Sequence, residues 1–155
     1  MRANLKVCIA CDHGGYDLKK IIAGWLKENN YILFDLGNEV FDINDDYPDF
    51  AERVGKNIIS GDSERGIIIC GSGVGVCIAA NKIKGCRASV CHDTYSARQG
   101  VEHDDMNILC LGARIIGDEL AKELVKAFLG ATFIDEGKYK RRLNKINKLE
   151  NKKQE

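Results

Sequence analysis

Short apolar runs alternate along the chain with segments in which apolar residues recur every three or four positions. Runs of a length suited to β-strands lie at 5–10, 31–34, 66–69, 86–91 and 106–111. Segments with helical spacing or helix-start residues lie at 16–28, 48–60, 76–82, 93–102 and 118–129. We therefore predict strands and helices in strict alternation up to residue 130.

Strict alternation of strands and helices is typical of a parallel sheet covered by helices on both faces. We therefore predict the α/β class, as a three-layer α/β/α sandwich with a five-stranded parallel, Rossmann-like sheet. Residues 1–130 form this core, and residues 131–155 form an extra C-terminal helix and tail. No composition shift or repeat interrupts the chain, so we expect a single domain over residues 1–155.

Composition excludes several functional classes. The chain of 155 residues is 45% hydrophobic and 30% charged, and it has neither an apolar run of membrane-spanning length nor a signal-peptide pattern, so we expect a cytoplasmic protein. Its seven cysteines are odd in number and lie mostly in strand-like runs, which favours reduced thiols over disulfides. No membrane partner is expected.

The C-terminal segment is basic, with eight Lys or Arg residues against two Glu in 138–155, although the net charge of the chain is zero. The segment has one aromatic residue and helical apolar spacing. We predict an amphipathic helix docked on protein, with basic residues available for an anionic ligand, and no nucleic-acid partner.

Ligands of parallel sheets bind outside the carboxyl ends of the strands. Asp12 and His13 follow the first strand, Cys70 and a glycine-rich turn end the third, and His92 follows the fourth. We also expect His103 to lie near this rim. A base, a mobile proton and an anion-binding site are therefore predicted at one edge of the sheet.

The turn Cys70-Gly71-Ser72-Gly73-Val74-Gly75 places bare backbone N–H groups around a small concavity that suits an anion. It departs from the dinucleotide pattern, whose third glycine falls one position later, and from a cysteine phosphatase loop, which needs an arginine where Val76 stands. A purely structural turn and a nucleotide site remain alternatives for this segment. A zinc site formed by Cys8 and Cys11 with His13 and by Cys86 and Cys91 with His92, or a redox site at Cys8 and Cys11, also remains an alternative.

A thiol beside such a nest, with a histidine and cations for phosphate, favours proton abstraction next to a carbonyl. The product of that step is an enediolate, which preorganised N–H groups stabilise. Aldose–ketose isomerisation of sugar phosphates is this chemistry, and it requires no metal and no cofactor.

Six motifs, in order and over nearly the whole chain, resemble those of the type B ribose-5-phosphate isomerases, whose wider family includes galactose-6-phosphate and allose-6-phosphate isomerases. They are CDHGGYxLK at 11–19, DYPD at 46–49, ICGSGVG at 69–75, AANK at 79–82, CHDTYSA at 91–97 and LGARIIG at 111–117.

The resemblance implies the catalytic roles. Cys70 matches the base that moves a proton between C1 and C2, and Ser72 matches a residue that hydrogen-bonds at the reacting centre. His103 matches the histidine that opens the furanose ring, and Asp12 lies among the groups around the sugar. The enediolate nest corresponds to the backbone of Gly71, Gly73, Val74 and Gly75.

The resemblance also implies the substrate-binding residues and the assembly. Tyr47 matches a tyrosine that lines the pocket, and His13 and Arg142 match phosphate ligands. The active unit is a homodimer with two shared sites, in which the C-terminal helix reaches the partner. Whether dimers pair into tetramers stays open.

Two positions depart from the family pattern. Lys138 stands where an arginine is usual, which keeps the charge but loses the bidentate fork for phosphate. Asp104 stands where asparagine is usual, and an ionised carboxylate only accepts hydrogen bonds. We predict interconversion of ribose 5-phosphate and ribulose 5-phosphate, in the pentose phosphate pathway. The alternatives are a hexose-6-phosphate isomerase (allose or galactose 6-phosphate) and a non-enzymatic module that binds a sugar phosphate or nucleotide.

Overall fold

The computed structural model describes residues 4–152, which contain a single five-stranded parallel sheet. The strands are β1 Lys6–Cys11, β2 Ile32–Asp35, β3 Arg65–Cys70, β4 Ala88–Val90 and β5 Ile108–Gly112. They lie in the order β2-β1-β3-β5-β4 across the sheet. The predicted fold class is confirmed. The first and last three residues of the predicted domain lie outside the described residues.

Residues 4–152 also contain six α-helices and one 3-10 turn, which follows β1 at His13–Gly15. Their bounds are α1 Tyr16–Glu28, α2 Tyr47–Ser60, α3 Val74–Ala80, α4 Thr94–Asp104, α5 Asp118–Gly130 and α6 Gly137–Glu150. Local sequence sets several ends. Pro48 occupies the first turn of α2, Gly61 ends that helix with φ of 80°, and Asp93 caps α4 by accepting from the Ser96 N–H at 2.7 Å.

Two apolar layers hold the helices on the sheet. One layer lies beneath α1, α4 and α5, and its largest fully buried side chain is Phe128. The other lies beneath α2 and α3, and it contains four buried cysteines, namely Cys8, Cys70, Cys86 and Cys110. No helix among the described residues is long and apolar enough to cross a bilayer.

The chain reverses its direction across the sheet between β1 and β3, because β2 lies on one side of β1 and every later strand lies on the other. The register pairs Cys11 with Ile69 and Cys70 with Gly112, so the three central strands end together. This switch point, at the carboxyl edge of the sheet, is where open α/β sheets form a binding crevice.

Most helices and strands begin or end one or two residues away from the predicted positions. The predicted fourth strand is shorter, and only Ala88–Val90 is a strand, because the Arg87 N–H and carbonyl bond to the side chain and backbone of Asn107 beside it. The C-terminal helix is confirmed as a helix. Its docking is slight, since it packs along α4 and buries no residue.

Candidate active site

A cavity of about 320 Å³ opens at the switch point of the sheet. Three strand ends supply its lining: Asp12 follows β1, Cys70 ends β3 and Arg114 follows β5. We name the cavity the cysteine pocket, and its lining is Asp12, Tyr47, Cys70, Gly71, Ser72, Gly75, Arg114 and Ile115. The structure therefore brings together six of the residues that the sequence predicted.

The Cys70 side chain is buried at the floor of this pocket and 5% of the residue is exposed. The backbone N–H of Gly73 donates to its sulfur over 3.1 Å. That turn is possible because Gly73 adopts φ of 80°, a left-handed conformation that a side chain disfavours. The glycine therefore points a backbone donor at the thiol.

The five N–H groups of residues 71–75 divide into two sets. Gly73 donates to the thiol, and Val74 donates to the Ser72 hydroxyl over 3.3 Å. The N–H groups of Gly71, Ser72 and Gly75 meet no acceptor within residues 4–152. The predicted anion nest therefore has three free donors, and its other two N–H groups are already used within the turn.

Tyr47 closes one side of the pocket by lying flat against the glycine turn. A β-carbon added to Gly75 would lie 2.8 Å from the Tyr47 ring, inside van der Waals contact. Glycine at this position therefore allows an aromatic ring to approach the nest directly. Tyr47 begins α2, and 42% of it stays exposed.

Asp12 and His13 are held by separate partners. The Asp12 carboxylate accepts from the Gly15 N–H at 3.2 Å, and burial raises its pKa while the neighbouring imidazole acts to lower it. His13 Nδ1 lies 2.6 Å from Asp45 Oδ1, and the other oxygen of Asp45 accepts from Asn38. His13 therefore directly follows the pocket residue Asp12, with its Nδ1 bound to Asp45, but it is not part of the pocket lining.

Ligand atoms of Asp12, His13 and Asp45 lie within 4.8 Å of one another, close enough to share a metal ion. Hydrogen bonds already use these groups: Asp45 accepts from the His13 ring and backbone and from Asn38, and Asp12 accepts from Gly15. The arrangement therefore stands as a hydrogen-bonded network that orients His13.

A buried lysine supports the loop that carries Asp45. Only 3% of Lys19 is exposed, and its ammonium donates to both oxygens of Asp35 and to the carbonyls of Gly37 and Asn38. A buried charge is stable only when it is paired and hydrogen-bonded in this way. Lys19 therefore fixes the start of the loop between β2 and α2.

Arg114 lines the pocket although sequence reasoning gave it no role. Its backbone N–H donates to the Gly71 carbonyl at 3.0 Å, and its guanidinium lies against the same glycine. Its side chain makes no hydrogen bond within the described residues, which leaves a free cation at the pocket. A signal was present, because Arg114 lies two residues after the end of β5 at the carboxyl edge, where Asp12 follows β1.

His103 does not lie at the carboxyl rim, and that prediction is wrong. It stands at the end of α4, which starts at the carboxyl edge with Asp93 and spans about 16 Å at 1.5 Å per residue. Asp105, two residues after His103, forms an ion pair with Arg87 at 2.6 Å. Arg87 lies immediately before the first residue of β4. His103 is therefore at the opposite, amino edge of the sheet.

Four other predicted residues lie at the end of α4 or on α6, and together with Tyr139, which was not predicted, we name this set the histidine cluster: His103, Asp104, Lys138, Tyr139 and Arg142. The imidazole bonds to Gln99 at 2.7 Å and stacks on Tyr139 with ring centres 4.4 Å apart. Lys138 lies 5.2 Å from that ring, and Arg142 follows one turn later on α6. Within one chain the cluster and the cysteine pocket are separate.

A larger cavity, of about 570 Å³, lies between α4, β4 and α6 and includes Asp104, Ile146 and Leu149 in its lining. It contains no member of the cysteine pocket. His92 is also outside the cysteine pocket, and its Nε2 accepts from the Gly112 N–H at 3.0 Å. His92 therefore has a structural role at the end of β5.

The site lies at the switch point of a parallel α/β sheet and contains a thiol, free N–H donors and a free guanidinium. This arrangement is typical of a protein that binds a small anion. The family model described as Ribose/Galactose Isomerase matches residues 7–146. The chain belongs to this family, which confirms the resemblance seen in its motifs.

Similar proteins cover nearly all of the chain. A probable ribose-5-phosphate isomerase B of Mycoplasma genitalium is 44% identical over 151 residues, which are 95% of this chain and 97% of the relative. A D-erythrulose-4-phosphate isomerase of Pectobacterium atrosepticum is 41% identical over 129 residues, covering 83% and 85%. The crystal structure of Mycoplasma genitalium ribose-5-phosphate isomerase B with bound ribulose-5-phosphate has a TM-score of 0.90 at 42% identity, covering 98% of this chain and 100% of that one.

Proposed function

We propose that the protein interconverts ribose 5-phosphate and ribulose 5-phosphate through an enediolate intermediate at the cysteine pocket. The observation that carries this proposal is the Cys70 thiol at the switch point beside three free backbone N–H groups. The similarity to a structure that holds ribulose-5-phosphate supports the choice of substrate.

Cys70 acts as the base in this mechanism. Its thiolate removes the proton from C2 of the open-chain aldose, and the electron pair moves so that negative charge develops on the C1 oxygen. The free N–H groups of Gly71, Ser72 and Gly75 are placed to receive that charge, and donors fixed before the reaction stabilise it most. The proton of the C2 hydroxyl then moves to the C1 oxygen, which leaves the negative charge on the C2 oxygen. Delivery of a proton from the thiol to C1 re-forms a carbonyl at C2 and gives the ketose, so the thiol carries a proton and forms no covalent bond with the substrate.

The substrate phosphate requires cations, and the pocket supplies one directly. The Arg114 guanidinium is a planar, bidentate donor suited to phosphate, and no side-chain partner among the described residues competes for it. His13 adds a second donor through Nε2, because Asp45 holds its other nitrogen. Tyr47 lies opposite the nest and confines the sugar.

A second copy of the chain completes the site in this proposal. Ring opening by His103, and phosphate contacts from Lys138 and Arg142, require the histidine cluster to reach a cysteine pocket that lies at the other edge of its own sheet. In a symmetric dimer the two sets of residues can meet, if the histidine cluster of each chain packs against the cysteine pocket of the other. Exposed apolar side chains near the pocket support contact with a second copy, because they would be buried by it: Val74, Ile78 and Ile115.

The substrate is the point on which relatives differ, since one similar protein is named for D-erythrulose 4-phosphate and the family description includes galactose. The test is a panel of ribose 5-phosphate, D-erythrulose 4-phosphate, allose 6-phosphate and galactose 6-phosphate, with kcat/KM measured for each. We expect ribose 5-phosphate to give the highest value. A higher value for any of the other three would replace the proposed substrate.

A module that only binds sugar phosphates is separated from an enzyme by isotope exchange. In deuterated water the enzyme must replace the C2 proton of ribose 5-phosphate with deuterium, whereas a binding protein leaves it in place. We expect exchange that persists after treatment with a chelator. Exchange lost with the chelator and restored by zinc would contradict the proposed metal-independent mechanism.

The reducing cytoplasm is the proposed location, because the Cys70 base must stay a thiol.

A further inference from the structure

The turn that ends α4 is held by the side chain of Arg87. The guanidinium donates through Nε to the Asp105 carbonyl at 2.7 Å and through a terminal nitrogen to the Asp105 carboxylate at 2.6 Å. Another terminal nitrogen donates to the Gly85 carbonyl at 3.3 Å. One arginine therefore binds both the backbone and the side chain of the residue that directly follows α4.

The backbone of Asp105 is left-handed, and this conformation needs support. Its φ is 51°, a region in which side chains are uncommon, although Asp and Asn are found there more often than most. The Asp105 N–H donates to the Val101 carbonyl at 3.1 Å, and the Met106 N–H donates to the Gly100 carbonyl over the same distance. The conformation of Asp105 therefore determines where α4 stops.

The same group of hydrogen bonds extends to the end of α6. The Arg87 N–H donates to the Asn107 side chain at 2.8 Å, and the Asn107 amide donates to the Gly85 carbonyl at 2.9 Å. The Gly85 N–H donates in turn to the Glu150 carboxylate, 3.1 and 3.2 Å from its two oxygens. The two helices that carry the histidine cluster are therefore bound to one set of groups.

His103 lies two residues before Asp105, in the last turn of α4. Its imidazole bonds to Gln99 at 2.7 Å and stacks on Tyr139 with ring centres 4.4 Å apart. Those contacts hold the ring, whereas Arg87 holds the backbone turn that follows it. A displacement of about 1 Å in a catalytic group can cost on the order of 100-fold in rate, so this turn matters for any reaction at His103.

We propose that Arg87 and Asp105 are positioning residues for ring opening of the substrate, and that they act through His103. This inference rests on the proposed function, in which His103 opens the furanose ring of ribose 5-phosphate. Ring opening moves the proton of the C1 hydroxyl to the ring oxygen, while the C1 carbonyl forms and the bond between C1 and the ring oxygen breaks. Removal of the C2 proton by Cys70 comes after this step.

The two substrates of the proposed reaction separate ring opening from proton transfer. Ribose 5-phosphate is a furanose and must open before Cys70 acts. Ribulose 5-phosphate is open-chain, because its C5 oxygen carries the phosphate and cannot close a five-membered ring on C2. Exchange of its C1 proton with deuterated water therefore requires Cys70 and the nest, but no ring opening. Misplacement of His103 should slow turnover of ribose 5-phosphate and spare this exchange.

The test compares three substitutions of Asp105. D105A removes the carboxylate and disfavours the left-handed backbone, D105G removes the carboxylate but adopts that backbone freely, and D105N keeps an acceptor oxygen. We expect kcat for ribose 5-phosphate to fall about 10- to 100-fold in D105A, less in D105G and least in D105N, with deuterium exchange into ribulose 5-phosphate within about threefold of wild type in all three.

A conservative change of Arg87 tests the other half of the pair. R87K keeps the positive charge but loses the planar fork that binds the carbonyl and the carboxylate together. We expect the same selective loss of ribose 5-phosphate turnover as in D105A. R87K and D105G carry the comparison if D105A does not fold, as checked by thermal unfolding of each variant.

N30A is the matched control. Asn30 also has a left-handed backbone, with φ of 63°, but it lies between α1 and β2, where its backbone bonds to Lys27 and Asn4. N30A should lose stability to chemical denaturation to a similar extent as D105A and keep both activities.

Two results would overturn the positioning role: equal loss of turnover and exchange in D105A, or no loss of either. Absence of both activities from the wild-type protein would instead refute the proposed function. Hydrogen–deuterium exchange of residues 99–106, measured by mass spectrometry, then still tests the turn itself. Faster exchange in D105A and R87K than in wild type supports its role in holding α4, and equal rates overturn it.

Discussion

The cysteine pocket and the histidine cluster are built in opposite ways. The cysteine pocket is made by backbone and strand ends, with Cys70 buried and Gly73 fixed against it. The histidine cluster is made by side chains on α4 and α6, and α6 buries no residue. The first is therefore defined by the sheet of one chain. The second becomes a defined site only when something packs against it, which is the physical basis for expecting a second copy.

The strongest test of the cysteine pocket is removal of its thiol. We expect C70A to lower kcat by about 100- to 10,000-fold, the usual contribution of a proton-transfer group. Steady-state kinetics with ribose 5-phosphate measures the change. The matched control is C8A, because Cys8 is equally buried in the same layer but pairs with Gly66 near the amino end of β3. A C70A enzyme with kcat near that of C8A would remove Cys70 from the mechanism.

The next effect concerns the cation that the cysteine pocket supplies by itself. R114A should raise KM by roughly 10- to 100-fold, because charged hydrogen bonds contribute about 1.5–3 kcal/mol. R114K should recover part of the loss, since lysine keeps the charge without the fork. R98A is the control, because Arg98 is exposed and, among residues 4–152, forms its ion pair with half-buried Glu102 on the same helix. An R114A enzyme with unchanged KM would remove Arg114 from phosphate binding.

A smaller effect is expected from the contact between the glycine turn and Tyr47. G75A places a β-carbon 2.8 Å from the Tyr47 ring, so the ring must retreat, and we expect a loss of about tenfold or less in kcat/KM. G24A is the control, because Gly24 lies in α1 with nothing within 4 Å. It should keep full activity and gain up to about 1 kcal/mol of stability, measured by chemical denaturation. Equal activity of both variants would show that the Tyr47 contact does not position substrate.

Sequence patterning predicted the sheet and most of the cysteine pocket, because both depend on local periodicity and on where parallel strands end. Arg114 follows the same rule and lies in the motif at 111–117, but the pattern does not show that its side chain enters the pocket. His103 was misplaced for a physical reason: α4 begins at the carboxyl edge but returns its last residues to the amino edge. Partners such as Asp45 for His13 lie in irregular chain, where no periodicity predicts contacts.

Mixing two inactive variants tests most directly whether the cysteine pocket and histidine cluster meet across a dimer. C70A and H103A are each purified, then unfolded and refolded together, and isomerase activity is compared with each alone. If sites are shared, a mixed dimer has one pocket with both residues intact, and activity should return to about one quarter of wild type. If one chain supplied both residues to its own site, no mixed dimer would hold an intact site. Activity that stays at the level of the separate variants would contradict the shared site.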